Sequence, residues 1–308
     1  MKLSKALPVW SLAAPVAGLA LLAGSLLGLG GWYTLFMAAG LMASVLAAVH
    51  HAEVVAHRVG EPYGTLVLAV AVTVIEVALI VSLMLSGGEA TAALARDTVF
   101  AAVMIILNGM LGLCLLVGAQ RHGEQSFTQH GVSASLATLA AIVTLTLVLP
   151  NYTTSRPGPV YSPGQLAFIA VVSLVLYGTF VLVQTVRHRD YFLPAHAAAQ
   201  PESHATPPSR STALLAGGLL MLALVAVVLL GKALAPTIEK AVAAMGAPQA
   251  LVGIIIAAVV LMPEGLAAVR AARANRLQTS LNLALGSALA SIGLTIPTVA
   301  VVSLATGW

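Results

Sequence analysis

Residues 63–85, YGTLVLAVAVTVIEVALIVSLML, decide the fold. As an α-helix rising 1.5 Å per residue, the run from Gly64 to Leu85 covers about 33 Å, enough to cross a hydrocarbon core of about 30 Å. Its one ionisable side chain is Glu76, just past the middle. A carboxylate at that depth costs about 2.5–3.5 kcal/mol even on the mild insertion scale, so an acid placed there serves a purpose. It is expected to pair, to meet water or to carry a proton.

The composition extends this reading to the whole chain. The sequence is 59% hydrophobic and 8% charged, with mean hydropathy +1.00, where soluble domains carry about 25% charged residues. A large soluble enzyme is thereby excluded. The net charge of +4 does not point to nucleic acid, because the basic residues lie between apolar runs and report topology. Cys114 is the single cysteine and forms no intrachain disulfide.

Apolar runs occupy residues 9–29, 32–49, 64–85, 98–118, 131–149, 165–186, 213–230, 250–268 and 281–304. Each is long enough to span, giving an all-α polytopic helix bundle of about nine membrane spans. The first run is read as a retained helix, since it exceeds a signal-peptide core and a second run follows across Gly30–Gly31. Ten basic residues (Lys2, Lys5, Arg58, Arg121, Arg187, Arg189, Arg210, Arg270, Arg273, Arg276) fall on one side of this arrangement and four (Arg96, Arg156, Lys232, Lys240) on the other. That asymmetry puts the N-terminus in the cytoplasm and the C-terminus outside, for a protein of the inner membrane. The partners expected are the lipid bilayer and small inorganic cations, with self-association compatible.

The polar stretch 187–212 is rich in Pro, Ala, Ser and His and reads as a flexible cytoplasmic linker. It divides the chain into an N-terminal half, 1–186, and a C-terminal half, 213–308. Residues 150–164 read as an extended external loop, and Glu61–Pro62 as a turn into the third span.

A second acid mirrors the first. In ALVGIIIAAVVLMPEGLAAVRAA, Glu264 follows Pro263, whose missing amide is expected to break the helix and free carbonyls before it. Five spans separate the two acidic helices, so they run in opposite directions, as inverted repeats require. Each is followed by a helix with small and polar residues: Asn108, Gly109 and Gly112, then Gly286, Ser287 and Ser291. The glycines are expected to let helices approach closely. Oxygen ligands suit hard cations, and Glu76, Glu264, Asn108, Thr73, Ser287 and Ser291 supply them. The same carboxylates could hold protons.

At HHAEVVAHRVGEPYGTLVLAVAVTVIEVALIVSLM, LNGMLGLCLLVG, PGPVYSPGQLAFIAVVSLVLYGTFVLVQTVRHRDYF and PEGLAAVRAARANRLQTSLNLALGSALASIGLTIP, the chain resembles a bacterial calcium (sodium, potassium)/proton antiporter of the cation/Ca2+ exchanger superfamily. The resemblance implies two inverted repeats, one acid in each at the cation site, and extrusion of Ca2+, Na+ or K+ in exchange for protons. The acids carried over are Glu76 and Glu264, and the polar positions Asn108 and Ser287. It implies a secondary transporter, not an enzyme, with the ions as cargo and no cofactor. The second repeat looks shortened, which keeps a truncated or partner-dependent protein that binds cations without transport as an alternative.

One cluster stands apart. His50, Glu53 and His57 recur at i, i+3 and i+7 on one helix face. As a solvated helix end they do nothing chemical. As titratable groups they could sense pH or cations at the cytoplasmic mouth, and as zinc ligands they would make an intramembrane metal-dependent hydrolase.

Overall fold

Apolar runs of this length must satisfy their backbone polar groups internally, and helices do so within one segment. The computed structural model describes residues 7–25, 28, 31–60, 63–87, 94–193 and 207–306, and among them every regular element is helical. Lys2, Lys5, Gly30, the Glu61–Pro62 turn and residues 194–206 of the expected linker lie outside the described residues. In chain order the helices are α1 (Val9–Ser25), α2 (Tyr33–Val59), α3 (Tyr63–Gly87), α4 (Leu94–Met104), α5 (Leu111–His122), α6 (Gln129–Val143), α7 (Pro163–Leu182), α8 (Arg210–Ala244), α9 (Ala250–Arg273) and α10 (Leu277–Thr306). A π-helical segment, Ile105–Met110, joins α4 to α5. Two more, Thr144–Val148 and Val183–Arg187, follow α6 and α7.

Apart from Gly28 and Trp32, the described residues of every apolar run are helical. Among the described residues, seven helices are long and apolar enough to cross a membrane, and Val9–Ser25 and Val70–Ser82 are shorter apolar stretches. α2 continues through the His-rich segment, as the spacing of His50, Glu53 and His57 expects, to Gly60, whose φ of +79° ends it. One rod outruns the expectation. α8 runs for 35 residues with Pro236 inside it, about 52 Å against a core of about 30 Å. Lys232, Glu239 and Lys240 thus lie on a helical extension rather than in a turn.

The helices form two compact units, each drawing on both halves of the chain: residues 1–91 with 203–263, and residues 92–202 with 264–308. In the first unit α2 packs most extensively against α8 and α1, and also against α3; α3 and α1 both touch α8. Small residues make that closeness feasible. A Cβ on Gly18 would sit 2.7 Å from Ser44 Oγ and 3.1 Å from Leu230 Cδ1, and one on Gly40 2.8 Å from Leu21 Cδ1. Polar ties add register: the Tyr33 hydroxyl donates to the Leu21 carbonyl at 2.6 Å, and the buried His51 Nε2 meets the Ser11 carbonyl at 3.0 Å.

In the second unit α10 is the centre. It packs against α7, α6, α4, α5 and the Ile105–Met110 segment. Its end is laced to the neighbouring loops by side-chain amides. Gln278 Oε1 accepts from the Thr128 amide at 2.6 Å, Gln278 Nε2 donates to Asn282 Oδ1 at 2.9 Å, and Asn282 Nδ2 donates to the Phe192 carbonyl at 2.5 Å. The 150–164 loop is also anchored rather than loose. Ser162 and Gln165 form a capping box at the start of α7. The Tyr161 hydroxyl donates to the Leu145 carbonyl, and burial pushes its phenol pKa upward.

Where α10 meets α7, a Cβ on Gly293 would lie 2.7 Å from both Cβ and Cγ of Tyr177. Gly293→Val should therefore force α7 and α10 apart and destabilise the protein by about 1–3 kcal/mol. Thermal unfolding in detergent would read this as a melting temperature several degrees below that of the wild type.

Candidate functional site

Glu76 sits in the first unit on α3, which packs against α2 and α8. It is 2% exposed, with Thr73 one turn before it at 5% and Ile80 one turn after it fully buried. The acid thus faces protein rather than lipid, as intramembrane ionisable residues do. One of its carboxylate oxygens, Oε2, is closed off from solvent. A small apolar cavity of about 30 Å³ is lined by residues including Leu79, three positions further along α3, and Gly231, on which a Cβ would sit 2.3 Å from Leu79 Cδ2. Its size and greasy lining suit no hydrated ion.

Glu264 belongs to the second unit and follows Pro263 inside α9. It is half-buried, with its Oε2 also shielded. The expected break at Pro263 does not occur: α9 is continuous from Ala250 to Arg273. A single proline removes one donor, leaving the Val259 carbonyl without its i+4 amide, and the flanking apolar turns carry the helix across.

The distortion lies elsewhere, in the Asn108 segment IILNGM, which is π-helical. An inserted residue of this kind bulges the helix and commonly marks a functional position. Asn108 is exposed, and its Nδ2 donates back to the Met104 carbonyl at 3.2 Å, with Met104 Sδ at 3.8 Å. With the amide nitrogen so engaged, Oδ1 is the atom left to act as an acceptor. The glycines beside Asn108 and Ser287 do not serve close packing as expected: Cβ atoms on Gly109, Gly112 and, on α10, Gly286 would all meet open space.

Within the second unit some of the elements that carry these residues touch. The Ile105–Met110 segment packs against α10, which carries Ser287 and Ser291. A Cβ on Gly265, next to Glu264, would sit in van der Waals contact with Met110 Cε at 3.4 Å. Ser287 is half-buried and Ser291 is 3% exposed. The sequence reading stopped one turn short here. Thr295, four residues beyond Ser291, is fully buried, and its hydroxyl has no protein partner. The i, i+4, i+8 spacing of Ser287, Ser291 and Thr295 was the available signal.

His50 rests beside the Trp10 ring with centroids 5.5 Å apart, while Glu53 and His57 are exposed. Among the described residues no group of three or more His, Cys, Asp or Glu could hold a metal ion. The zinc-hydrolase alternative is therefore withdrawn. The physical reason is that i, i+3, i+7 placement alone spreads side chains along 10 Å of helix, about twice what one tetrahedral ion can gather. The histidine that matters to packing is His51, on the small-residue face of α2 with Ser44, Ala47 and Ala48.

Comparison with known proteins agrees with this architecture. The pattern of the sodium/calcium exchanger protein family matches residues 29–186 and 215–307. The chain is 57% identical over 275 residues to "Putative ionic transporter y4hA" of Sinorhizobium fredii (strain NBRC 101917 / NGR234), covering 89% of this chain and 74% of that one. It is 36% identical over 270 residues to the sodium-potassium/proton antiporter ChaA of Escherichia coli (strain K12), covering 87% and 73%. Among solved structures, the H+/Ca2+ exchanger CAX superposes with a TM-score of 0.72 at 15% identity, over 98% of this chain and 75% of that one. YfkE superposes with a TM-score of 0.66 at 19% identity, over 94% and 80%. These structures share the fold. The chain is a multi-pass membrane transporter of the cation-exchanger kind, not an enzyme, and it belongs to the sodium/calcium exchanger protein family.

Proposed function

We propose that this protein exchanges Ca2+, or else Na+ or K+, for H+ by alternating access in the inner membrane, with the N-terminus cytoplasmic. The acids Glu76 and Glu264 alternate between holding the cation and holding protons, each contributed by one of two inverted repeats across about nine spans. Thr73, Asn108, Ser287 and Ser291 supply neutral oxygens. The observation that carries this reading is the near-complete burial of Glu76 on a helix otherwise free of charge.

Burial penalises the charged form of a carboxylate, so the buried acid is stabilised when a bound cation or a proton neutralises it. Two protons and one Ca2+ neutralise two carboxylates equally well. The loaded site can then rearrange in apolar surroundings in either form, while the empty, doubly charged site cannot. That inequality couples cation movement to proton movement. Rocking of one helix bundle against another would expose the acids to alternate sides.

The relative from Escherichia coli is named for sodium and potassium, and the solved exchangers of the same fold for calcium. Ion choice is tested directly in proteoliposomes holding a pH-sensitive dye. Addition of CaCl2 is expected to drive proton release under an imposed pH gradient, with NaCl and KCl compared at equal ionic strength. Absence of proton movement with all three salts would overturn the exchange reading.

A further inference from the structure

At one end of the second unit, α5 and α9 finish together. His122 Nε2 meets the Arg273 carbonyl at 3.0 Å, and Gln125 Nε2 donates to the Ala272 carbonyl and to Asn275 Oδ1, both at 3.0 Å. Gly123 and Asn275, with φ of +73° and +58°, turn the chain sharply at the two helix ends. The last turns are thus held by three cross-links. Between them lies an open cleft of about 480 Å³, lined by Val117, Gln120, Arg121, Val269 and Arg273. That volume is within the range of about 300–1,000 Å³ typical of small-molecule sites.

The lining has an internal order. Val117 and Arg121 are four residues apart on α5, and Val269 and Arg273 four apart on α9. Residues at that spacing lie one above the other on a helix face. Each helix therefore presents an arginine at its end and a valine one turn deeper. Both arginines and Gln120 are exposed, both valines are half-buried, and the lining includes no carboxylate. Paired guanidinium groups repel each other unless an anion joins them. Their planar forks match a phosphate oxygen pair. Transported cations are disfavoured at such a cleft by the same charges.

We propose that this cleft binds the headgroup phosphate of an anionic phospholipid, with Arg121 and Arg273 on the phosphate, Gln120 on the glycerol oxygens and the two valines against the start of the acyl chains. The lipid is preferred to a dissolved anion because the cleft stands at the ends of two helices long and apolar enough to cross a membrane, where headgroups are expected. Its deeper turn is also apolar, a feature that inorganic phosphate would not use. Basic pockets between helices at this level are a recognised kind of lipid site.

The test uses the full chain purified in detergent and titrated with dioleoylphosphatidylglycerol, with bound lipid counted by native mass spectrometry. Arg121→Gln with Arg273→Gln is expected to weaken the first phosphatidylglycerol about tenfold. Arg187→Gln with Arg189→Gln, an equal loss of charge, should change it by no more than about twofold. Dioleoylphosphatidylcholine should show no difference between the variants. If the glutamine pair lowers the melting temperature, Arg121→Lys with Arg273→Lys keeps the charge and should still lose about threefold, because the bidentate fork is gone. Three results would overturn the proposal: unchanged phosphatidylglycerol binding in both Arg121/Arg273 pairs, equal weakening in the Arg187/Arg189 pair, or displacement of the lipid by millimolar inorganic phosphate.

Discussion

Glu76→Gln is expected to reduce cation-driven proton movement by about a hundredfold or more while leaving the protein folded. Glutamine keeps the shape of the side chain, with an amide NH2 in place of one carboxylate oxygen, so α3 should pack against α2 and α8 as before. What disappears is the negative charge at a position only 2% exposed. Removing one partner of a buried charge pair costs about 3–5 kcal/mol, which is a factor of roughly 10² to 10⁴ in cation affinity. The same substitution removes a proton carrier, so both halves of the cycle suffer. Proteoliposome exchange, with melting temperature measured alongside, checks this. Exchange at wild-type rates in a folded Glu76→Gln protein would remove the acid from the mechanism.

Glu264→Gln should also impair exchange, but its clearest signature is in pH dependence. Glu264 is half-buried, so solvent screens part of its charge and the expected loss is smaller, about ten- to a hundredfold. In the proposed cycle, protons compete with the cation for both acids, so apparent cation affinity rises with pH across their titration. A cation that displaces two protons gains about two decades of affinity per pH unit, and one that displaces a single proton gains one decade. The slope of log apparent affinity against pH should therefore fall from near two in the wild type to near one in Glu264→Gln. An unchanged slope with unchanged affinity would show that this carboxylate takes no part in the competition.

The acids were legible because charge is rare in this chain, and one carboxylate inside an apolar run stands out without any knowledge of contacts. Asn108, Ser287 and Ser291 stand out as neutral polar side chains inside apolar runs that follow the two acidic helices. The bulge at Asn108 was not legible, although an Asn-Gly pair inside a helix hints at a local departure from α geometry. Pro263 misled in the opposite sense. A proline signals a missing hydrogen bond, but whether a helix breaks there depends on the neighbours that hold both sides in line, and α9 stays continuous. The glycines at 109, 112 and 286 show the same limit, since smallness permits close approach without requiring it.

Length and hydropathy alone determined that this is a bundle of membrane-crossing helices with two acids in their runs, because a bilayer imposes one rule on every segment independently of the rest. Only the tertiary structure decided which helices share a unit, that His51 rather than His57 is buried, that Gly293 rather than Gly286 touches an aromatic ring, and that Arg121 and Arg273 end side by side. Such pairings arise between segments distant along the chain, from shape and packing that no single segment carries.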